Sequence, residues 1–341
     1  MPEKELAVKE RVEQAIADLK QQLPDLTLLE NEPMKGHCSF KTGGPARAFV
    51  IPEDITEMTK VFSILKDHRI APYLLGNGTN VVFPDEGTAE LIVVSSERLQ
   101  RLFLLDEYHI YAEAGVSLSR VAGFALEHSL TGLEFASGIP GTTGGGVIMN
   151  AGAYGGELKD VIESVVLCYL PDQSLYEMTK EQCAFGYRKS YFQTTPGCVI
   201  LSAVFCLKKG NRDEISAKMK ELNAKRREKQ PLDLPSAGSS FRRPEGFYAA
   251  ALIEECGLKG YAVGGAQVSE KHAGFIVNTG TATSADLQNL VRYVRNTVYE
   301  KKHVEMVPEV ILIPPDYRLE DNGPRLMRNQ VVGENPAEGK E

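Results

Sequence analysis

The sequence lacks several features that would assign it to a class at once. Its 341 residues include no tryptophan, no C-x-x-C spacing and no apolar run of about 18 residues, the length needed for a membrane-spanning helix. The first residues, Met-Pro-Glu-Lys-Glu, also lack the apolar core of a secretory signal. These absences predict a cytoplasmic protein without a membrane anchor.

Positive charge is scarce as well. The chain has 38 Lys and Arg against 46 Asp and Glu, which gives a formal net charge of −8. A general nucleic-acid binder or a protein held on an acidic membrane carries a basic face, and no long stretch of this sequence has one. We therefore expect neither a nucleic-acid partner nor a membrane partner.

The six cysteines form no spacing with histidine that is typical of a metal site or of a disulfide framework. Cys168, Cys198 and Cys206 lie in apolar, strand-like runs, where cysteine is usually a small core residue. We predict no bound metal, no disulfide, and these three side chains in the core.

No nucleotide-binding fingerprint is intact. The loop Gly76-Asn77-Gly78-Thr79-Asn80 follows a predicted strand, but Val81 stands where a Rossmann motif has its third glycine, and no helix is predicted to open there. The P-loop pattern G-x-x-x-x-G-K-[ST] is absent from the sequence. Alone, this loop is as typical of a plain turn as of a phosphate site.

Glycine, by contrast, is concentrated in residues 132–157, which hold nine of the 31 glycines. Apolar residues such as Phe135, Ile139 and Val147 interrupt the run, and a flexible linker would not carry them. Ordering so many glycines is costly, so we interpret the stretch as main chain that closely approaches a ligand and offers it N–H groups. A set of tight turns in a β-rich core is the alternative.

Apolar periodicity predicts the elements of the rest of the chain. Helices are predicted near 5–23, 55–67, 117–129, 212–228, 247–256 and 284–301. Strands are predicted near 72–75, 90–95, 107–113, 161–170, 174–178, 198–207, 262–268, 273–278 and 309–313. Helices alternate with strands early and strands accumulate later, which predicts an α+β fold.

Separated segments then resemble one family, in the same order along the chain. They include Phe-Lys-Thr-Gly-Gly-Pro-Ala at 40–46, Leu-Gly-Asn-Gly-Thr-Asn at 75–80, the run 138–157, Gly-Tyr-Arg-Lys-Ser at 186–190, Ser-Ala-Gly-Ser at 236–239 and Pro-Glu-Val at 308–310. The chain resembles the UDP-N-acetylenolpyruvoylglucosamine reductases, in the FAD-binding superfamily typified by vanillyl-alcohol oxidase. The match covers about residues 30–313, and the lack of an inserted tyrosine loop indicates the second, shorter class. Arg243 departs from the pattern, because the family often has asparagine there.

The apolar periodicity of the first residues, the polar composition beyond Pro314 and the resemblance together imply a domain arrangement. Residues 1–32 would form an N-terminal amphipathic helix extension. Residues 33–210 would form a two-part FAD-binding domain of the vanillyl-alcohol-oxidase type, divided near 100–105. A smaller α+β substrate-binding domain would follow at 211–315, and residues 316–341 would be a mobile tail.

The family resemblance also implies an activity. NADPH, acting through FAD, would reduce UDP-N-acetylglucosamine enolpyruvate to UDP-N-acetylmuramate. This reaction serves peptidoglycan synthesis, and with it cell shape and division, and we expect a monomer to carry it out. Ser239 would donate the proton that quenches the enolate, Arg188 would pair with the substrate carboxylate, and Glu309 would orient that region or relay a proton with a perturbed pKa. From position alone, these three would more often be a turn-capping hydroxyl and structural ion pairs.

The FAD contacts implied by the resemblance are Gly43, Gly44, Pro45, Ala46, Arg47, Gly76, Asn77, Gly78, Thr79, Asn80, Gly138, Ile139, Pro140, Gly141, Thr142, Gly144, Gly145, Asn150 and Gly152. Some superfamily members tether flavin to a histidine near the first phosphate loop. Residues 76–80 contain none, so we predict non-covalent FAD and interpret nearby His37 as structural. The predicted substrate contacts are Tyr187, Arg226, Lys229, Gln230 and His272.

Two other functions stay open. A flavin-linked oxidase of a hydroxy acid or sugar would share the FAD half and use oxygen. A non-enzymatic flavin- or UDP-sugar-binding regulator would have no need of a proton donor, so intact Arg188, Ser239 and Glu309 argue against it.

Overall fold

Helices and strands run through residues 2–314, the part of the chain that the computed structural model describes, with side chains from residue 8 onward. The helices there are α1 (Pro2–Gln22), α2 (Ile55–Asp67), α3 (Leu118–Glu127), α4 (Thr143–Met149), α5 (Tyr191–Thr194), α6 (Arg212–Lys229), α7 (Ala249–Glu255) and α8 (Ser284–Lys302). The strands there are β1 (Thr27–Pro33), β2 (Pro45–Ile51), β3 (Tyr73–Leu75), β4 (Val81–Val82), β5 (Thr88–Ser95), β6 (Leu102–Leu104), β7 (His109–Glu113), β8 (Leu130–Thr131), β9 (Gly152–Ala153), β10 (Gly156–Glu157), β11 (Ile162–Tyr169), β12 (Ser174–Thr179), β13 (Cys198–Cys206), β14 (Lys208–Lys209), β15 (Ser236–Ser239), β16 (Ala262–Val263), β17 (Ala266–Val268), β18 (Phe275–Asn278) and β19 (Ile311–Leu312). This mixture confirms the predicted α+β class.

No helix within these residues has the length and apolar character needed to cross a bilayer. The predicted mobile tail, 316–341, lies outside the described residues.

The first sheet has the order β1-β2-β5-β3, in which only the β1–β2 pair is antiparallel. The apolar sides of α1 and α2 pack against it, with Ile16 and Phe62 buried beside Ile92 and Val94. Such period-3.6 apolar faces on both helices are what sequence periodicity detects, and α2 spans the residues predicted for it.

The second sheet is antiparallel, with the order β12-β11-β13-β7-β6. Its core side meets α3 and α4 through Ala112, Val121, Val147 and Ala203. Its central strand β13 is buried on both faces, because Val199 and Leu201 lie in the core cluster of the first sheet.

The third sheet, β15-β18-β17-β16, is antiparallel and packs against α7 and α8. Helix α8 begins with a capping box, in which the Thr283 side chain accepts from the Asp286 amide at 3.0 Å and the Asp286 side chain accepts from the Thr283 amide at 2.9 Å. Near the end of the described chain, β19 pairs in parallel with β4. This pairing returns the segment around 309 to the loop that follows β3.

Part of the glycine-rich stretch is a helix that the sequence did not predict. Helix α4 contains Gly144, Gly145 and Gly146, although glycine in a helix interior costs about 1 kcal/mol relative to alanine. Tertiary packing explains why glycine occupies this helix, because a Cβ at Gly146 would lie 2.9 Å from side-chain atoms of Leu118 and Leu158. Close helix packing, which only glycine permits here, overrides the local propensity.

One cysteine prediction is wrong. Cys168 and Cys198 are buried, as predicted, but Cys206 is exposed. It is the last residue of β13, and its side chain lies on the opposite side of the strand from fully buried Phe205. A run of apolar residues does not reveal at which residue a strand leaves the core.

The three sheets lie within residues 27–95, 102–206 and 236–278. The domain limits expected from the sequence stay a prediction.

Candidate active site

Arg188 and Glu309, which are 121 positions apart in the sequence, form an ion pair. The Arg188 Nε donates to Glu309 Oε1 at 2.7 Å, and its Nη2 donates to the carbonyl oxygen of Gly152 at 3.0 Å. Both side chains are largely buried, with exposed fractions of 20% and 13%. The contact with Gly152 places the pair beside the end of the glycine-rich stretch.

Arg188 is held in an uncommon backbone conformation. Its φ is 51°, in the left-handed region that non-glycine residues rarely adopt. Gln193 donates to the carbonyl of Arg188 at 3.2 Å, and Asn150 donates to the carbonyl of Gly186 at 2.8 Å. Surrounding contacts therefore fix this loop, which is a feature of preorganised sites.

Glu309 has the perturbed pKa that the sequence analysis expected. Burial raises the pKa of the Glu309 carboxyl above its ordinary value, whereas the positive charges of Arg188 and Arg242 act in the opposite direction. The Glu309 amide donates to the carbonyl of Ser240 at 2.9 Å, and the Asn80 side chain donates to the Glu309 carbonyl at 3.1 Å. The backbone of Glu309 is thereby fixed on both sides.

Ser239 precedes Ser240 and ends β15. Gly238 has a φ of 79°, and the pairing register of β15 with β18 shifts between Ser236 and Ser239. Such an irregularity re-aims side chains. The Ser239 residue is exposed, and its hydroxyl makes no hydrogen bond to any described residue. The fold thus pairs Arg188 with Glu309 and joins Glu309 to the neighbour of Ser239.

A cleft of about 660 Å³ opens at the loop that precedes Asn80, whose side chain contacts the Glu309 carbonyl. Four of the predicted cofactor residues line it: Gly76, Asn77, Thr79 and Pro140. Asn77 donates to the carbonyl of Pro140 at 2.9 Å, which joins the loop 76–80 to the glycine-rich stretch. Two segments that were not among the predicted contacts, 36–41 and 232–235, contribute most of the remaining wall. The segment 36–41 overlaps the motif 40–46, so this motif could have predicted that the segment lines the cleft.

The loop 76–80 has free backbone donors. None of its amide N–H groups donates to an acceptor among the described residues. Unpaired backbone donors are rare unless they face solvent or a ligand. A run of them in one loop forms a concavity suited to an anion.

Gly78 has a φ of 58°, and a Cβ there would overlap the carbonyl oxygen of His37. The Ser39 amide donates to the carbonyl of Gly78 at 3.0 Å. Gly78 is therefore required by its neighbours in the protein, and its contact with the segment before β2 shapes the loop.

Three predicted cofactor residues use their polar groups within the protein. The Arg47 side chain pairs with Glu13 of α1 and Glu30 of β1. Asn150 is fully buried, and its side chain binds Glu157, Gly186 and the Lys159 amide. The Gly44 amide donates to the carbonyl of Pro84 at 2.8 Å. Their contact with a cofactor stays a prediction.

The other predicted cofactor residues have the following positions. Gly43 lies in the turn before β2, Pro45 and Ala46 in β2, Asn80 between the loop and β4, Gly138, Ile139, Gly141 and Thr142 before α4, Gly144 and Gly145 in α4, and Gly152 in β9. His37, which we interpreted as structural, lies 2.9 Å from Glu32 and stacks on Phe49 with 3.9 Å between ring centroids.

Comparison with known proteins identifies the family. A family model described as "FAD binding domain" matches residues 46–177, and one described as "UDP-N-acetylenolpyruvoylglucosamine reductase, C-terminal domain" matches residues 230–313. A UDP-N-acetylenolpyruvoylglucosamine reductase from Caldanaerobacter subterraneus subsp. tengcongensis is 48% identical over 86% of this chain and 96% of its own. Another, from Limosilactobacillus reuteri, is 44% identical over 87% of this chain and 99% of its own. The chain belongs to the UDP-N-acetylenolpyruvoylglucosamine reductase family.

The fold of this reductase family is shared as well. The crystal structure of the Thermus caldophilus enzyme, at 33% identity, covers 85% of this chain and 99% of its own, with a TM-score of 0.72. The residues present fit the FAD that the family's first domain binds, because the cleft is lined by the loop 76–80 and by Pro140, and the amides of 76–80 lack acceptors in residues 8–314.

The predicted substrate residues of this reductase-family chain lie in two groups. The Tyr187 ring lies beside Arg188, with the guanidinium carbon 5.4 Å from the ring centroid. Arg226, Lys229 and Gln230 lie at the end of α6. Burial lowers the pKa of Arg226, which forms no ion pair within the described residues, and Gln230 Oε1 is buried without a hydrogen-bond partner there.

His272 lies near the second group. Burial lowers the pKa of His272, and the charges of Lys259 and Lys229 act in the same direction. Its Nδ1 accepts from the Gly274 amide at 3.1 Å, and Lys271 donates to the carbonyl of Arg227 at 2.7 Å. This end of α6 therefore faces a basic segment.

Proposed function

We propose that the chain is a UDP-N-acetylmuramate dehydrogenase, which uses NADPH and non-covalent FAD to reduce UDP-N-acetylglucosamine enolpyruvate. The observation that carries this proposal is the buried Arg188–Glu309 pair, in which the Glu309 amide binds the carbonyl of Ser240, the residue after Ser239. Bound FAD would supply the hydride chemistry, and the side chains would bind, orient and protonate the substrate. The family's name and its two domain matches support the same reaction.

Arg188 would stabilise the negative charge that develops on the enolpyruvyl carboxylate and α-carbon. Its guanidinium is preorganised, since it is already bound to Glu309 and the carbonyl of Gly152. A fixed, partly buried cation stabilises developing charge more strongly than one that must first reorganise. Its planar fork also suits a carboxylate.

Ser239 would donate the proton to the α-carbon. Its hydroxyl is exposed and has no protein partner among the described residues, so it is free to turn toward a substrate. A serine hydroxyl is a weak acid, and its alkoxide needs a nearby cation or rapid reprotonation. Arg188 and Arg242, both near Glu309, supply the positive field.

Glu309 would orient Arg188 and relay the proton. Because burial raises its pKa, the carboxyl holds a proton more readily than an exposed glutamate does. Its amide is bound to the carbonyl of Ser240, which keeps it next to Ser239 in the fold.

The FAD diphosphate would lie on the amides of 76–80, within the cleft that Pro140 closes on one side. The substrate diphosphate would lie on the basic end of α6, where Arg226 and Lys229 have no ion-pair partner in residues 8–314. Gln230, His272 and Tyr187 would add polar and aromatic contacts. Arg243 would not replace the family's asparagine contact directly, because its guanidinium stacks on Tyr248 at 4.0 Å.

The domain limits and the cellular setting belong to the same proposal. Residues 33–210 would bind FAD and residues 211–315 the UDP-sugar, within a monomer. The reaction would take place in the cytoplasm, where it would supply peptidoglycan precursors for cell shape and division. Light scattering on the purified protein tests the monomer, and a stable dimer would contradict it.

The test separates the two half-reactions under anaerobic conditions. NADPH should bleach the flavin, and UDP-N-acetylglucosamine enolpyruvate should then restore its colour. In Ser239→Ala the bleaching should be unchanged and the reoxidation slower by about 10²–10⁴-fold, the usual contribution of a general acid. Equal loss of both half-reactions would contradict the role of Ser239. Bleaching without reoxidation by the substrate, but with rapid reoxidation by oxygen, would favour the oxidase alternative.

A further inference from the structure

A second cluster of chemically reactive side chains lies on the outer face of the second sheet. His109, Glu163 and Cys206 place a ring nitrogen, a carboxylate oxygen and a thiol sulfur within 4.8 Å of one another. None of the three takes part in the proposed reductase chemistry. We propose that they form a Zn²⁺ site.

The backbone brings these residues together at one end of three adjacent strands. His109 begins β7 and Cys206 ends β13, and the two are direct partners in the antiparallel register. Glu163 lies in β11 at a register shift between Ile162 and Ser164, where β11 pairs with β13. A bulge of this kind turns the extra residue toward a neighbouring strand. Three adjacent strands thus each contribute one donor.

The histidine is oriented as in known zinc sites. Its Nδ1 lies 2.8 Å from both carboxylate oxygens of Asp106, and its Nε2 lies 2.9 Å from Glu163 Oε2. A carboxylate only accepts hydrogen bonds, so the ring is held between Asp106 and Glu163. A Zn²⁺ ion would take the place of the hydrogen between Nε2 and Glu163 Oε2 and bind both atoms, while the Nδ1 hydrogen stays on Asp106. A carboxylate behind the ligating imidazole is the usual second partner of a zinc-bound histidine.

Asp106 is itself fixed in place. Its Oδ1 accepts from the amides of Tyr108 and His109, at 2.8 and 2.9 Å. The turn between β6 and β7 therefore holds the carboxylate, and the carboxylate holds the ring. The orientation does not depend on the metal.

The donor set selects the metal class. Imidazole nitrogen, carboxylate oxygen and thiolate sulfur are the three ligand types of protein Zn²⁺ sites, whereas Ca²⁺ and Mg²⁺ prefer oxygen alone. The His109 side chain is 23% exposed and that of Glu163 is 53% exposed, which leaves room for a water as the fourth ligand. The ion would bridge three neighbouring strands at one end of the sheet.

Titration of the full-length, flavin-containing protein with zinc chloride tests the site. Isothermal calorimetry should find one strong equivalent, which Cys206→Ser or His109→Gln should remove. Asp106→Asn should weaken binding by about 10–100-fold, the usual effect of losing the second partner of a ligating histidine. Glu107→Gln, an exposed change in the same turn, is the matched control and should bind zinc as the unaltered protein does.

A second measurement needs no variant. Cys206 is the exposed cysteine among the six, so alkylation by iodoacetamide, followed by mass spectrometry, should modify it first. Zinc should slow that modification in step with the calorimetric occupancy, because a metal-bound thiolate is not free to react. If zinc binds but leaves Cys206 alkylation unchanged, or binds Cys206→Ser and His109→Gln equally well, the site proposal is wrong. In that case the cluster is only a histidine hydrogen-bonded between two carboxylates.

Discussion

At the scale of single residues, the site is dominated by a carboxyl group whose surroundings act on it in opposite directions. Burial favours the protonated form of Glu309, and the Arg188 guanidinium 2.7 Å away favours the ionised form. The net effect is a raised pKa. Such a balance lets a small change, such as the arrival of a second carboxylate at Arg188, move a proton onto or off Glu309.

The raised pKa has a consequence for stability. Well below the usual glutamate pKa, about 4.3, both the folded and the unfolded chain hold the proton. As the pH rises, the unfolded chain releases it first, so the folded state loses stability until its own raised pKa is passed. Relative to the unaltered protein, Glu309→Gln should therefore gain free energy of unfolding across that window, by at most about 1.4 kcal/mol per pH unit. Above the window the difference should be constant.

Urea unfolding of both proteins between about pH 4 and pH 8 measures this difference. Glu107→Gln removes one exposed charge from the β6–β7 turn and is the matched control. A Glu309→Gln difference that stays flat, or that falls with rising pH, would show that Arg188 outweighs burial.

Sequence patterns predicted catalytic roles for Arg188, Ser239 and Glu309, but not the contacts among these residues. Arg188, Ser239 and Glu309 came from short motifs, each of which is local in the chain. Their pairing depends on the parallel contact of β19 with β4 and on the left-handed backbone at Arg188. No periodicity or spacing encodes either feature, since both arise from tertiary packing.

At the scale of elements, two glycines can have opposite effects on stability, because one is required by its surroundings and the other is not. Gly78 lies in the loop 76–80, has a positive φ and leaves no room for a Cβ beside His37. Gly123 lies inside α3, and a Cβ there would meet no atom within 4 Å. The sequence shows two glycines, and only the surrounding element tells which one is required.

The matched substitutions Gly78→Ala and Gly123→Ala should therefore change the free energy of unfolding in opposite directions. Gly123→Ala should stabilise the chain by about 0.5–1 kcal/mol, because alanine is the better helix former. Gly78→Ala should destabilise it by more than about 1 kcal/mol, through the strained φ and the overlap with the His37 carbonyl. It should also release FAD more readily, since the amides of 76–80 would move. Urea unfolding and flavin fluorescence on dilution measure both effects, and equal effects of the two substitutions would contradict this account.

Helix α4 marks the limit of prediction at this scale. Amphipathic helices such as α2 and α8 were predicted within one or two residues, because their apolar faces repeat along the sequence. Residues 143–149 were interpreted as ligand-binding main chain, and their glycines contradict the helix that they form. The helix exists because Gly144 and Gly146 let it approach Ala114 and Leu118 closely.

At the scale of the whole molecule, the cleft is built from distant parts of the chain. Its lining comes from residues 36–41 before β2, from the loop 76–79 after β3, from Pro140 before α4 and from residues 232–235 before β15. Ser39 ties the first of these to the last, since its hydroxyl donates to the carbonyl of Ser236 at 2.6 Å. A ligand in the cleft therefore contacts segments associated with all three sheets.

Binding of FAD should consequently stabilise the whole fold. A ligand that binds only the folded state raises the free energy of unfolding by about 2.7 kcal/mol when its free concentration is 100 times its dissociation constant. Adding FAD to flavin-free protein should produce a gain of that size in urea unfolding.

The fragments of the cofactor then show which part of the cleft is responsible. ADP, which carries the diphosphate without the flavin, should stabilise the chain, because the amides of 76–80 are its expected donors. Riboflavin lacks phosphate and should stabilise it far less. Gly78→Ala should lose the ADP effect while any riboflavin effect persists. If riboflavin matches FAD and ADP has no effect, the free amides of 76–80 do not hold the diphosphate.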